Sequence, residues 1–136
     1  MSSVLAIATS GMLAASRHVE VSASNVANAL TTGPLPTASG PAAASHPAAY
    51  VPLRVDQVAV AGGGTATTIQ AVSPSSVPLY QPNLPYADSN GTVAAPNVDP
   101  ANEVAQQLIA NYSFAMNARV VRADEEMTQT LLDAAV

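Results

Sequence analysis

Asn28-Ala29-Leu30-Thr31-Thr32-Gly33-Pro34 decides how this chain folds. The segment sets two β-branched residues, a glycine suited to a helix C-cap and a proline stop directly after a stretch able to be helical. Outward from it the composition changes abruptly. All eleven prolines lie between Pro34 and Pro100, and six of the seven glycines lie between Gly33 and Gly91, leaving only Gly11 outside. The proline-free ends can form long helices, and the middle cannot be continuous helix. A chain divided in this way is expected to pair its two ends with each other and with neighbouring copies. Such a design suits assembly better than catalysis.

The N-terminal helix is expected from Val4 to about Ala29. Within it Leu5, Ala8, Met12, Ala15, Val19, Ser22 and Val26 recur at alternating steps of three and four, the a/d spacing of a coiled coil. An amphipathic helix packed on its own domain has the same pattern, but the rest of the chain offers little core to pack against. Gly11 costs about 1 kcal/mol relative to Ala inside a helix and permits close approach of a neighbouring backbone. At the far end Asp99 can cap, Pro100 suits the first helical position and Glu103 complements the helix dipole. Ala105, Ile109, Tyr112, Met116, Val120, Ala123, Met127, Leu131 and Ala134 follow at a mean spacing near the α-helical period, so this helix should run nearly straight. At 1.5 Å per residue the two helices would be about 39 Å and about 50 Å long.

The expected fold is therefore mainly α with a small β part. Long N- and C-terminal helices pair as an antiparallel coiled coil, the Leu5–Val26 stripe against the Ile109–Leu131 stripe, and a Pro-rich central segment holds a β-hairpin. The chain divides into an N-terminal helix (1–30), a Pro/Gly-rich centre (31–99) and a C-terminal helix (100–136). In the centre, residues 31–49 read as an extended loop. Val51, Leu53 and Val55 alternate with Pro52, Arg54 and Asp56, Gly62-Gly63-Gly64 makes a turn, and Thr65 to Val72 is β-branched enough for a second strand. Residues 73–100 hold six of the prolines and should be mostly irregular, with a turn at Asn90-Gly91.

Apolar residues make up 49% of the chain, but most are Ala and Val, and aromatics reach only 4%. So few large side chains cannot build a dense core, and oligomerisation is expected to supply the missing burial. The four arginines, without any lysine, face nine acids for a net charge of −5. That balance argues against nucleic acid, which needs clustered cations. The start of the chain has no basic residue ahead of its apolar stretch, so no cleavable Sec signal is expected. No segment approaches the ~20 apolar residues that span a bilayer.

Chemistry finds little support. His18 and Glu20 form an H-x-E, but the cysteine pair of a zinc deaminase is absent; His46 lies in the Pro-rich loop. Asp88-Ser89-Asn90-Gly91 opens like a calcium loop without its later glutamate and reads better as a turn. Gly62-Gly63-Gly64-Thr65 lacks the lysine of a phosphate loop. Asp124-Glu125-Glu126 reads as a charge run on a helix. No catalytic residue, metal, cofactor or small-molecule substrate is expected.

Two stretches carry a more specific signal. Ala23-Ser24-Asn25-Val26-Ala27-Asn28-Ala29 with Thr31-Thr32, together with Ser10-Gly11-Met12, resembles the helix signature of bacterial flagellar axial proteins of rod and hook. Tyr80-Gln81-Pro82-Asn83-Leu84-Pro85-Tyr86-Ala87-Asp88, Gly91-Thr92-Val93 and Pro96-Asn97-Val98-Asp99 are similar to the corresponding segment of the FlgC-like basal-body rod branch. The resemblance covers residues 4–30 and 73–134. It implies a structural subunit of the flagellar proximal rod that assembles through its terminal helices with copies of itself and other rod proteins and transmits torque. It also implies passage through the flagellar type III export apparatus and a place in the periplasmic rod. The residues expected to carry assembly are Leu5, Met12, Val19, Asn25, Val26, Asn28, Ile109, Tyr112, Met116, Val120, Met127 and Leu131. Asn25 and Asn28 stand where helix carbonyls lose their partners, so their amides either cap the helix locally or bridge to a neighbour, with the bridge favoured. A secreted or partner-binding helical module outside a working rod is the alternative.

Overall fold

The computed structural model describes residues 3–36 and 45–135. Its elements are α1 (Ser3–Ala27), β1 (Leu53–Ala59), β2 (Thr65–Ala71), β3 (Ser76–Tyr80), β4 (Thr92–Pro96) and α2 (Pro100–Ala134). Both terminal helices form where the proline-free ends predict them. Asp99 caps α2 from extended backbone, its Oδ1 accepting from the backbone N–H of Ala101 at 3.0 Å and of Asn102 at 3.4 Å. Pro100 takes the first turn, where a missing N–H costs nothing.

α1 and α2 run antiparallel. Ser22 Oγ donates to the Glu103 carbonyl near one end of the pair, while Gly11 faces the Asn117 side chain farther along. The seam is built from small residues. A Cβ at Gly11 would come within 2.7 Å of the Asn117 amide, so the glycine serves close approach, to a side chain of α2 rather than to a backbone. Ala8, Ala15 and Ser22 of α1 are buried, and α2 turns toward them a face holding Gln107, Ala110, Asn117, Ala118 and Val121.

Here the structure corrects the expected seam. The Ile109–Leu131 stripe does not lie against α1: Met116 is 66% exposed and Leu131 71%, whereas Ala110, one residue from Ile109, is 4% exposed. The physical reason is distance. A close helix pair selects alanine and glycine at its contact, and the large side chains are left on the other side. On α1 the expected stripe is half right. Its small members are buried, Leu5, Met12 and Val19 are half-buried at the rim, and Val26 is exposed.

The expected hairpin is present. β1 and β2 pair antiparallel from Leu53↔Ala71 to Ala59↔Thr65, joined by Gly62, Gly63 and Gly64, all at φ near +90°, a conformation that L side chains rarely adopt. The hairpin packs along α1. Its base meets α1 at Asn25, and its tip reaches back to Ile7 and Ser10, where Ser10 Oγ accepts the Thr65 N–H at 3.1 Å and donates to the Ile7 carbonyl. The match follows from the two rises. Fifteen residues of helix and seven of strand both cover about 23 Å.

Residues 73–100 are more ordered than their prolines suggest. β3 and β4 form a second antiparallel pair, with Pro78 opposite Ala94. Ala94 N–H and C=O bond instead to Gly33, at 2.9 and 3.0 Å, so at this position β4 turns its hydrogen-bonding groups away from β3. Pro78 therefore gives up no ladder bond, which is how a proline fits a strand. β4 lies between β3 and Gly33, and Val93, Ala94, Ala95 and Pro96 are all buried. The Asn90-Gly91 turn is as expected: Gly91 has φ +75°, and Asp88 Oδ1 accepts from the N–H groups of Asn90 and Thr92. Of the expected loop at 31–49, residues 37–44 lie outside the described residues. Its two ends are held together where Tyr50 N–H donates to the Thr31 carbonyl, and Thr32 Oγ1 meets Tyr86 Oη of the 73–100 segment at 2.9 Å.

Candidate assembly interface

Two sites stand out, one buried and one open. The buried one centres on Asn25, which is 1% exposed. Its Nδ2 donates to the Leu53 carbonyl and to Glu103 Oε1, both at 2.7 Å. Its Oδ1 accepts the Leu53 N–H at 3.0 Å and the Tyr50 hydroxyl at 3.1 Å. Since Tyr50 donates there, Ser24 Oγ supplies the proton in its 3.0 Å contact with Tyr50. A primary amide has two donors and two acceptor lone pairs, and all four are occupied within the chain. Asn25 thus ties α1, the base of β1 and the first turn of α2 into one knot. Asn28 is separate: its Nδ2 donates to the Ser24 carbonyl at 3.0 Å, closing the last turn of α1. Within the chain the two amides thus serve as one internal clamp and one local cap.

The open site is the outer face of α2. Ile109, Tyr112, Met116, Val120, Met127 and Leu131 are all exposed, and Ala123, Glu126, Met127, Thr130 and Leu131 line a shallow, mainly apolar depression near its end. Among the named elements α2 packs only against α1, so nothing within the described chain covers this stripe. Each such side chain contributes about 1.5–3 kcal/mol when fully buried. A continuous row of them is unusual on a monomer and marks a surface that another molecule covers.

The polar candidates have ordinary tasks. Glu20 pairs with Arg17 at 3.0 Å across one helical turn. Arg54 pairs with Asp56 at 3.2 Å, and the His46 ring stands 4.9 Å from that of Tyr86, tilted by 46°. Among the described residues no three His, Cys, Asp or Glu side chains gather as metal ligands, and no helix is long and apolar enough to cross a membrane. Sequence reasoning missed Tyr50, Leu53 and Glu103 as partners of Asn25. In the sequence Glu103 signals only a dipole complement, and nothing local to Tyr50 or Leu53 signals a contact 25 or 28 residues away.

Comparison with known proteins defines the class first. Residues 5–34 match the family model described as flagella basal body rod protein, and residues 89–134 match that of the flagellar basal body rod FlgEFG protein C-terminal. The matched parts are α1 with its stop and β4 with α2, which places the chain among the flagellar basal-body rod proteins. Over 124 residues it is 33% identical to the flagellar basal-body rod protein FlgC of Salmonella typhimurium, covering 89% of this chain and 87% of that one. It is similar at 32% over the same shares to FlgC of Escherichia coli O157:H7, and at 28% over 141 aligned positions to that of Agrobacterium fabrum, covering 98% of this chain and 94% of that one. The chain belongs to the FlgC family of flagellar basal-body rod proteins, a structural rod subunit.

Proposed function

We propose that this subunit joins the rod through its terminal helices. α1 is held inside the chain, and α2 presents Ile109, Tyr112, Met116, Val120, Met127 and Leu131 to neighbouring copies and to other rod proteins. Leu5, Met12, Val19 and Val26, along the rim of the α1–α2 seam, form the second contact line. The observation that carries this reading is the orientation of α2: its small residues face its own chain, and its large apolar residues face out. Torque would pass through the packed helices, which are stiff along their axes. The Asn25 knot would keep helix pair and hairpin moving as one body, so Asn25 and Asn28 support assembly by fixing the shape of the subunit. Export through the flagellar type III apparatus and a place in the periplasmic rod complete the proposal. Helices stabilised partly by neighbours suit a chain that is delivered unfolded and ordered on arrival.

The test replaces Tyr112 and Met116 together with Ser. The isolated chain should keep its helical circular dichroism, while rod incorporation and swimming fail. Normal motility of this variant would refute the assembly role of the outer face. Saturable binding of one unrelated partner by a stable monomer, without rod incorporation, would favour the partner-binding module instead.

A further inference from the structure

The two small sheets treat their free edges differently. In the β1–β2 hairpin Val60 N–H donates to the Gly64 carbonyl at 3.1 Å and Val72 N–H to the Pro52 carbonyl at 2.9 Å. An antiparallel ladder bonds at every second residue pair. Counted inward from those two bonds, Leu53, Val55, Gln57 and Ala59 of β1 and Thr65, Thr67, Ile69 and Ala71 of β2 point their backbone groups away from the partner strand. The bonds to α1 agree with this phase: Asn25 takes both backbone groups of Leu53, and Ser10 Oγ takes the Thr65 N–H. In the second sheet the bonds from Gln81 N–H to Gly91 and from Asn97 N–H to Ser75 turn Ser76, Pro78 and Tyr80 outward.

All of these edges but one are closed. Gly33 bonds to Ala94 on the edge of β4. Pro78, at the centre of the β3 edge, has no N–H to offer, which keeps another strand off. β1 is held at Leu53 by Asn25, and farther along it Val55 and Gln57 line cavities shared with Asn102, Gln106 and Ile109 of α2. Past Thr65 the β2 edge has no such cover. The N–H and C=O groups of Thr67, Ile69 and Ala71 take no hydrogen bond among the described residues, and Ile69 is 47% exposed. From Thr65 to Ala71 there is no charge, proline or glycine, so β2 also lacks the devices that usually repel a further strand.

Taking the chain as a subunit built into a rod, we infer that the β2 edge is a docking strand whose occupant is an extended segment of a different polypeptide. Its donors and acceptors recur about every 7 Å. An extended backbone of about five residues matches that spacing and offers free groups of its own, whereas a helix uses its groups internally. Ile69 selects an aliphatic or β-branched residue opposite it, and the uncharged strand around it selects an uncharged partner. The chain's other strands cannot serve, because their edges are closed. A second copy has only its own β2 to give, and such a twofold pair joins two chains and stops, which does not suit a rod subunit. A third strand also steadies a two-stranded hairpin, which is marginal by itself.

The experiment compares residue-resolved amide hydrogen exchange in the isolated full chain and in basal bodies purified from cells that carry it. In the isolated chain Ala66, Thr68 and Gln70, bonded to β1, should exchange slowly, and Thr67, Ile69 and Ala71 fast. In basal bodies the edge amides should slow by about a hundredfold; fast exchange there would overturn the inference. Ile69→Pro removes one outward N–H without breaking a ladder bond, as Pro78 does on β3, and Ile69→Thr keeps that N–H. The proline variant should retain helical circular dichroism but lose incorporation and swimming, while the threonine variant swims. Swimming by the proline variant, or failure of both, would sink the docked strand. If Ile69→Pro does not fold, exchange in wild-type basal bodies decides. Slow edge amides already in the isolated chain, with dimers in sedimentation, would make a second copy the occupant and overturn the proposal. Tyr112→Ser/Met116→Ser tests the outer-face reading separately: normal swimming removes that reading, and if it is immotile while Ile69→Pro swims, the edge alone falls.

Discussion

α1 and α2 are both long, proline-free and rich in alanine, yet they are used in opposite ways. α1 is covered on two sides, by α2 and by the β1–β2 hairpin, and buries Ala8, Ala14, Ala15, Val21, Ser22 and Asn25. α2 is covered on one side and buries Ala110. The difference shows that size and burial run against each other here. The inner seam takes small side chains because the helices approach closely, and the large ones are kept for a surface the chain does not cover. Apolar content alone says which residues avoid water, not which molecule shields them.

The sharpest way to break this comparison is to remove what holds α1 in place. Asn25→Ala strands the Leu53 N–H and C=O and one Glu103 oxygen in a buried site, and unsatisfied buried groups cost about 1–3 kcal/mol each. A loss of about 3 kcal/mol in urea unfolding of the isolated chain is expected, larger than any substitution on α2 should give. Gly11→Leu comes next, because its side chain must displace Asn117 and part the helices, at about 2 kcal/mol by the same measurement. Asp99→Ala removes the α2 cap and should cost about 1 kcal/mol. At the small end, Met116→Ser should alter monomer stability by no more than about 0.5 kcal/mol while weakening assembly. If Met116→Ser destabilised the monomer as much as Asn25→Ala, the outer face of α2 would be a hidden core and the contrast between the helices would collapse.

The legible parts of the fold were those written locally. Pro34 and Pro100 bound the helices, Asp99 announces the α2 start, and three consecutive glycines mark the hairpin turn. The face of α2 was legible as a stripe but not as a direction. Periodicity shows that Ile109, Tyr112 and Met116 lie together, and says nothing about which side of the helix meets α1. That depends on how near Gly11 lets the helices come. β3 and β4 were hidden because Pro78 argues against a strand unless Gly33, distant in sequence, already takes the hydrogen bonds of Ala94. Asn25 stood out in the signature Ala23–Ala29, but its four bonds go to three residues on two distant segments, and no local pattern reports them.

The clasp formed by Thr31 with Tyr50, and by Gly33 with Ala94, fixes both ends of the intervening Pro- and Ala-rich stretch against the body of the subunit. What lies between such anchors can lengthen cheaply, since doubling a closed loop costs only about 0.6 kcal/mol in chain entropy. A peptide tag or a small reporter joined in between the two anchored ends should therefore leave the helix pair and its outer face free to do their work.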